Sequence, residues 1–267
     1  MDENTKIKMK NPLVSVLMLT YNRASYITEA INSVLSQTYK SLELIIIDDG
    51  STDGTSLIVA SFNDSRIKYI QHHENKGLAI RRSESATLAK GDFIAILDSD
   101  DIWIDVRKLD KQISYLNSHP KCALVGSYIK LINKNSKVIG SRTFFLTNQK
   151  IRFNILLRNQ FAHSSVLMRT TFIRKINGYR EIKLCEDFDL FLRLGLVGEF
   201  SNIPEFTTLY RVHEERESLQ KILLLKSVLN IIYKYKAAYP FYYIAKIKFM
   251  IYKWFVGLLT RQYEKKR

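Results

Sequence analysis

The chain has 267 residues, of which 46% are hydrophobic, so it is long enough to bury a full core and its composition excludes a disordered protein. Its two cysteines, Cys122 and Cys185, lie far apart and form no CxxC pair, which gives no support to a thiolate zinc site. The first apolar stretch, residues 13–19, is not followed by a small-residue cleavage site. These features predict a cytoplasmic protein.

The formal charge of +15 is concentrated near the C-terminal end. Residues 216–267 hold 12 Lys and Arg against two acidic residues, a net charge of +10 that leaves +5 for the first 215 residues. This shift predicts two parts, a domain of residues 1–215 and a basic, aromatic-rich helical extension of residues 216–267. The extension favours an anionic partner, a membrane surface or nucleic acid, although a solubilising surface would have the same composition.

Strand-length apolar runs alternate with helix-period segments through the first 110 residues. The runs at 14–19, 42–47, 67–70 and 93–97 predict strands, and the segments at 27–35, 55–62, 78–89 and 107–117 predict helices. Further along, residues 163–168 predict a strand and residues 187–196 a helix. Such alternation is typical of an α/β fold with a Rossmann-like, mostly parallel central sheet that helices flank.

Three of the predicted strands run into polar clusters, which are Thr20-Tyr21-Asn22-Arg23, Asp48-Asp49-Gly50-Ser51 and Asp98-Ser99-Asp100-Asp101. Ligands of open parallel sheets bind beyond the carboxyl ends of the strands. Five aspartates there would repel one another unless a cation lay among them, and oxygen ligands suit Mg²⁺ or Mn²⁺ on a diphosphate. By itself, the second cluster could also be a turn with a helix cap.

These clusters and their neighbours resemble the family 2 glycosyltransferases, whose nucleotide-sugar-binding fold is called GT-A. The resemblance covers about residues 12–105, and it rests on the motifs at 14–23, 30–38, 47–55, 75–77, 89–93 and 98–101. It implies an inverting transfer of a sugar from a nucleotide-diphosphate sugar, with a divalent metal.

The resemblance also implies roles for individual residues. The nucleotide of a UDP-sugar would bind to Thr20, Tyr21, Asn22, Arg23 and Asp49. Asp98 and Ser99 would face the ribose or the donor sugar, and Asp100 would coordinate the metal. Asn75, Gly77 and Arg82 match a further motif that makes Arg82 a donor contact, but Arg81, Ser83 and Ser85 replace the family's alanine, asparagine and glycine.

A second signature surrounds Glu186-Asp187, which precede the apolar face of a predicted helix and resemble the family's Glu-Asp motif. The acceptor hydroxyl needs a positioned base as its bond to the sugar forms. We predict Asp187 as this base and Glu186 as the residue that orients it, because a like-charged neighbour raises the pKa of one of the pair. Alternatively, the two acids only stabilise the start of a helix.

Residues 210–213, Tyr-Arg-Val-His, resemble the family's segment that reaches back towards the diphosphate and the metal. The resemblance implies that His213 is a metal ligand. The chain departs from the family after this histidine. The family has a serine soon after the histidine, whereas here residues 214–217 separate it from Ser218.

The C-terminal segment has a helical period with Lys246, Lys253, Arg261 and Glu264 on one narrow face and apolar residues over most of the rest. Its uninterrupted apolar runs are far shorter than the ~20 residues that span a bilayer, which favours a helix at the membrane interface. This pattern also fits a helix docked on the body of the protein or on a second subunit. A peripheral position on the inner face of the cytoplasmic membrane is one expectation that follows.

The leading hypothesis is therefore an inverting, metal-dependent transferase that acts on a hydroxyl of a saccharide or lipid-linked saccharide in surface polysaccharide synthesis. A nucleotidyltransferase of nucleotide-sugar metabolism is an alternative, but residues 20–23 lack the glycines of a pyrophosphate loop. A basic nucleic-acid-binding protein is another, but it leaves the aspartate clusters unexplained, so we expect no nucleic acid partner.

Overall fold

The computed structural model describes residues 11–182, 184–213 and 218–264. The strands are β1 (Val14–Thr20), β2 (Leu42–Asp48), β3 (Ile67–Gln71), β4 (Phe93–Ile96), β5 (Ile102–Trp103), β6 (Cys122–Ile132), β7 (Val138–Arg142), β8 (Leu167–Arg169) and β9 (Glu199–Arg211). The helices are α1 (Ile27–Leu35), α2 (Thr55–Ala60), α3 (Leu78–Leu88), α4 (Lys108–Ser118), α5 (Asn148–Asn154), α6 (Thr170–Lys175), α7 (Glu186–Val197), α8 (Ser218–Lys234) and α9 (Tyr242–Glu264).

Within the described residues, nine strands form one sheet in the order β3-β2-β1-β4-β8-β6-β9-β5, and β7 pairs with β6. The first four strands in this order are parallel, and β8 joins them antiparallel to β4. Thr20 lies opposite Asp48 at the carboxyl ends of β1 and β2. The expected α/β fold is confirmed, and its parallel half carries the predicted polar clusters along one edge.

Successive side chains of the central strands point to opposite faces of the sheet, so apolar residues on both faces build two core layers. Leu17 and Ile45 lie in the layer that α7 and α8 cover, and Val16 lies in the layer that α1 and α4 cover. Burial on both faces explains why these strands are continuous apolar runs.

The strand predicted at residues 163–168 is shorter and begins later. His163–Ser165 form a 3₁₀ turn, and only Leu167–Arg169 pair with the sheet. The turn forms because the amide and hydroxyl of Ser165 both donate to the carbonyl of Ala162, which gives the backbone an alternative to ladder pairing.

Helices α8 and α9 dock on the rest of the protein. The Tyr235 hydroxyl donates to the buried Asp189 carboxylate at 2.9 Å, the Tyr239 hydroxyl donates to the Leu192 carbonyl at 2.7 Å, and Ala245 joins the main core. The predicted boundary after residue 215 lies outside the described residues. None of the helices described here is long and apolar enough to cross a bilayer.

Candidate active site

The aspartate run after β4 is held by hydrogen bonds from distant parts of the chain. The Ser164 hydroxyl accepts the N–H of Asp98 and donates to the Asp101 carboxylate, while the N–H of Arg211 donates to Asp101 at 2.7 Å. Burial, together with Asp98 and Asp100, raises the pKa of Asp101 well above its usual range. Asp101 is therefore a buried anchor, whereas Asp98 and Asp100 are partly exposed.

Asp100 lies beside two groups from separate segments. Its Oδ2 is 2.7 Å from Nε2 of His213 and 3.4 Å from Nε of Arg23. Arg211, two residues before His213, donates from Nε to the Asp100 carbonyl at 2.9 Å. The end of β9 thus places the imidazole against the carboxylate.

Asp49, at the end of β2, is almost saturated with hydrogen bonds. Oδ1 accepts the N–H of Lys76 at 2.9 Å and Nε–H of Arg81 at 2.7 Å, and Oδ2 accepts the N–H of Gly77 at 2.8 Å. Gly77 has a φ of +89°, a conformation that L side chains rarely adopt. The loop before α3 therefore wraps the carboxylate, and Arg81, which departs from the family pattern, provides its cation.

These residues surround a cavity of about 640 Å³ at the carboxyl edge of the sheet, which we call the donor cavity. The Thr20 hydroxyl is buried there and has no hydrogen-bond partner among the described residues. Eight of the ten predicted donor and metal residues line it, namely Thr20, Tyr21, Arg23, Asp49, Asp98, Ser99, Asp100 and His213.

The other two of these predicted residues do not line the donor cavity. Asn22 binds the loop that follows β2, because its Oδ1 accepts the N–H of Thr52 at 2.8 Å. Arg82 lies deeper, is 1% exposed, and makes an ion pair with Asp98. Its Nε and Nη1 are buried without a partner among the described residues, so this guanidinium has unused donors close to Asp98.

A second cavity of about 800 Å³ adjoins the first, and we call it the acceptor-side cavity. Asp98 lines both cavities, whereas Arg82, Glu186 and Asp187 line only the second. His163 also lines it, and burial together with Arg82 lowers the pKa of His163 to about 3, so the imidazole is neutral. The structure therefore brings the Glu186-Asp187 pair towards the aspartate run, about 90 residues earlier in sequence.

Glu186 and Asp187 begin α7, where backbone N–H groups favour the ionised carboxylates. Burial acts in the opposite direction and is the larger effect. It raises the pKa of Glu186 to about 7, with a further contribution from Asp187, and it raises the pKa of Asp187 as well. A carboxylate with a pKa close to neutrality is well suited to take a proton from a hydroxyl.

Several residues that organise the site were not predicted. Ser164 lies in a segment whose pattern resembled a strand, and its partners are 63 and 66 residues away, so local sequence carries no signal of its role. Arg81 was visible as a charged replacement for the family's alanine. A buried cation needs a buried carboxylate, and Asp49 was the available acid nearby.

Asp100 and His213 are the residues best placed to hold a metal ion. Over residues 11–182, 184–213 and 218–264, no three His, Cys, Asp or Glu side chains form a group that could hold a metal by themselves. An ion that binds substrate phosphates needs only one or two protein ligands, with the remaining positions filled by phosphate oxygens and water. The chemistry of this oxygen and nitrogen pair fits such an ion.

The sequence model of glycosyl transferase family 2 matches residues 15–182. The chain is 34% identical over 270 residues to the putative glycosyltransferase EpsE of Bacillus subtilis, which covers 96% of this chain and 94% of that protein. It is 44% identical over 151 residues to the Escherichia coli protein WfgD, covering 57% of each chain. WfgD is described as a UDP-Glc:alpha-D-GlcNAc-diphosphoundecaprenol beta-1,3-glucosyltransferase.

Solved structures agree on the fold. S. aureus TarS in complex with UDP superposes with a TM-score of 0.67 at 22% identity, covering 89% of this chain and 70% of that one. The mannosyltransferase PcManGT of Pyrobaculum calidifontis, with GDP-Man and Mn²⁺, has a TM-score of 0.67 at 17% identity, covering 91% and 70%. These likenesses confirm the GT-A fold. The chain belongs to glycosyl transferase family 2 and is a glycosyltransferase.

Proposed function

We propose that the protein transfers a sugar, with inversion, from a UDP-sugar to a hydroxyl of a lipid-linked saccharide during the synthesis of a surface polysaccharide. One observation carries this proposal. The donor cavity and the acceptor-side cavity meet at Asp98, and the second one contains a carboxylate pair whose Glu186 has a pKa raised to about 7. A donor in the first cavity and an acceptor in the second would meet beside a base.

The hydrogen bonds that Asp49 already accepts support uracil as the nucleobase of the donor. A carboxylate has about four acceptor positions, and Lys76, Gly77 and Arg81 occupy three of them. One position is left for a base, which suits uracil with its single N–H donor on the pairing edge better than guanine with two kinds of N–H there. The UDP-Glc in the name of WfgD agrees with this preference.

Thr20 and Arg82 provide further support for a bound donor. Both have buried polar atoms that lack partners among the described residues, and leaving such atoms unsatisfied costs about 1–3 kcal/mol each. A ligand with hydroxyl and phosphate oxygens in the donor cavity would satisfy Thr20, and the part of it that reaches past Asp98 into the second cavity would satisfy Arg82. We therefore assign the ribose and sugar side of the donor to Asp98, Ser99 and Arg82. The nucleotide is assigned to Thr20, Tyr21, Arg23 and Asp49, and Asn22 supports this group through its hydrogen bond to Thr52.

Asp100 and His213 would hold Mn²⁺ or Mg²⁺. Such an ion, when bound with the donor, neutralises negative charge on the departing nucleoside diphosphate. The Arg23 side chain, 3.4 Å from Asp100, adds a fixed positive charge on the same side. This combination of a ligand pair and a nearby cation supports the assignment of the diphosphate to this end of the donor cavity.

Asp187 is our choice for the catalytic base, because it is more exposed than Glu186 and lines the acceptor-side cavity. The acceptor hydroxyl oxygen forms a bond to the anomeric carbon while the bond to the diphosphate oxygen breaks, and Asp187 takes the hydroxyl proton. A single displacement inverts the anomeric centre and needs no covalent nucleophile. Glu186, buried beside Asp187, orients it, and Asp187 in turn raises the pKa of Glu186.

The C-terminal helix α9 supplies a surface that suits contact with the membrane, where a lipid-linked acceptor is located. One face of α9 leaves large apolar side chains in solvent, among them Tyr243 at 75% and Ile247 at 58% exposure, and lysines flank this face. This combination suits the surface of an anionic membrane. The name of WfgD, which includes a diphosphoundecaprenol acceptor, is in line with a reaction at that surface.

The proposal is tested by nucleoside diphosphate release from UDP-sugars and GDP-sugars, with Mn²⁺, Mg²⁺ or EDTA and a synthetic GlcNAc-diphosphate-alkyl acceptor. We expect UDP to be released from a UDP-sugar, and we expect this release to require both the metal and the acceptor. Asp187→Asn should reduce the rate by about 10²-fold or more and leave UDP binding unchanged. Asp100→Ala should abolish the effect of the metal on UDP binding. An Asp187→Asn variant as fast as the parent protein would overturn the base assignment.

A further inference from the structure

Three positively charged side chains are among the residues that line the acceptor-side cavity. Arg142, Arg158 and Lys248 line it, and within the described part of the chain none of the three makes an ion pair. The Lys248 ammonium donates to the Leu157 carbonyl at 2.8 Å, which places it beside residue 158 and leaves two of its three N–H donors. Arg158 is exposed, and its guanidinium donors have no partner among the described residues.

The acids of the same cavity do not neutralise these cations. Asp98 is paired with Arg82, and burial raises the pKa of both Glu186 and Asp187, so less negative charge develops there. Like charges that line one cavity without a counter-ion repel one another, and an anion bound there would offset that repulsion. The cavity is therefore lined both by the carboxylate pair and by cations that have no counter-ion among the described residues.

The position of Lys248 on α9 connects this cavity to the exposed apolar face of that helix. At 100° per residue, Lys248 and Tyr252 point between the cavity-lining side of α9, where Phe249 lies, and the exposed side, where Ile244 and Ile251 lie. Leu224 and Val228 of α8 complete the wall of the cavity. A ligand leaving the cavity past Lys248 therefore passes directly onto apolar surface.

We propose that Arg158 and Lys248 bind the phosphate or diphosphate of the acceptor, whose saccharide reaches Glu186 and Asp187 and whose lipid chain leaves along α9. This inference rests on the proposed function and adds the acceptor's anionic group and its binding residues. Arg142 lines both cavities and would therefore face the phosphates of either substrate. Arg158 and Lys248 line only the second cavity, so the test uses these two residues.

The probe is a short-chain polyprenyl diphosphate, and its binding to the full chain is measured with saturating UDP and Mn²⁺ so that the donor cavity is filled. The matching polyprenol has the chain without the charge, and inorganic diphosphate has the charge without the chain. The variant R158Q/K248Q is compared with R174Q/K175Q, which removes the same charge from exposed positions on α6 that line neither cavity.

We expect R158Q/K248Q to bind the polyprenyl diphosphate about ten- to hundredfold more weakly, because two charge-assisted contacts are lost, and to bind polyprenol and UDP as the parent does. R174Q/K175Q should match the parent protein throughout. Equal binding of the diphosphate probe by R158Q/K248Q would overturn the proposal. So would a loss that appears equally with phosphatidylglycerol vesicles lacking the probe, since the residues would then contact bilayer headgroups.

The outcomes separate this inference from the proposed function. If the parent protein binds no UDP, the donor assignment fails regardless of the probe. If UDP binds normally and R158Q/K248Q keeps the parent's preference for the diphosphate over the alcohol, only the acceptor inference fails.

Discussion

Ser164 and Asp101, 63 residues apart in sequence, share a buried hydrogen bond in which the serine hydroxyl donates to the carboxylate. The same hydroxyl accepts the N–H of Asp98 at 3.1 Å, so one small side chain holds both ends of the aspartate run. The geometry of Asp98, which lines both cavities, and of Asp100, which lines the donor cavity, depends on this contact.

We therefore predict that Ser164→Ala lowers both stability and UDP affinity. The buried Asp101 loses a donor, which should cost about 1–3 kcal/mol in the free energy of unfolding measured with urea. Ser165→Ala is the matched control, because its buried hydroxyl donates only to the nearby Ala162 carbonyl, and it should leave UDP affinity unchanged. If Ser164→Ala bound UDP as tightly as the parent, the proposed support of the aspartate run would be wrong.

The pH dependence of the reaction should report the buried pair on α7. Burial and Asp187 raise the pKa of Glu186 to about 7, and the pKa of Asp187 is raised as well. Because the base must be ionised, kcat/KM should be constant above the apparent pKa and should fall below it by about tenfold per pH unit. We expect this acidic limb of the pH profile, the fall in kcat/KM, near neutral pH. Because the two carboxyl groups are coupled, its apparent pKa belongs to the pair.

Glu186→Gln tests the electrostatic origin of this limb. Removing the neighbouring negative charge makes ionisation of Asp187 easier, so the limb should move to lower pH while the plateau rate changes less. Glu199→Gln, an exposed charge at the start of β9, is the control and should leave the profile in place. A limb at unchanged or higher pH in Glu186→Gln would contradict the assignment of roles within the pair.

Selectivity for the donor base should depend on Arg81. In Arg81→Ala, an acceptor position of Asp49 becomes free for a second N–H of guanine, so the preference for UDP over GDP should fall roughly five- to tenfold. Competition binding measures the ratio of the two affinities. Glu84→Gln removes another partner of Arg81 without touching Asp49, and it should keep the ratio. An equal weakening of UDP and GDP in Arg81→Ala would show a purely structural role.

Membrane association should depend on the apolar face of α9. Ile247→Asp places a charge in that face and should weaken binding to anionic liposomes about tenfold or more, since an apolar side chain no longer inserts. Leu57→Asp, an equally drastic change at an exposed position on α2, is the matched control. Binding by the parent should weaken with added salt. If both variants bound alike, another surface would be responsible.

Much of the fold could be read from local patterns. The strands that carry Leu17, Ile45 and Ile94 are buried on both faces, which makes them continuous apolar runs that need no tertiary information to recognise. The turn at His163–Ser165 was missed, because its polar residues are satisfied by partners such as Asp101 and Tyr179 that are distant in sequence. Local periodicity gives no information about partners that are distant in sequence.

By itself, the sequence determined the α/β architecture, the polar edge of the sheet and the Glu186-Asp187 signature, because periodicity and short motifs are local properties. Only the tertiary structure decided that Asp101 is an anchor, that Arg81 pairs with Asp49, and that Lys248 of the C-terminal helix lines the same cavity as Asp187. The physical reason is that burial and hydrogen-bond partners are set by packing between elements, so the availability of a side chain for a ligand emerges only when the chain is folded.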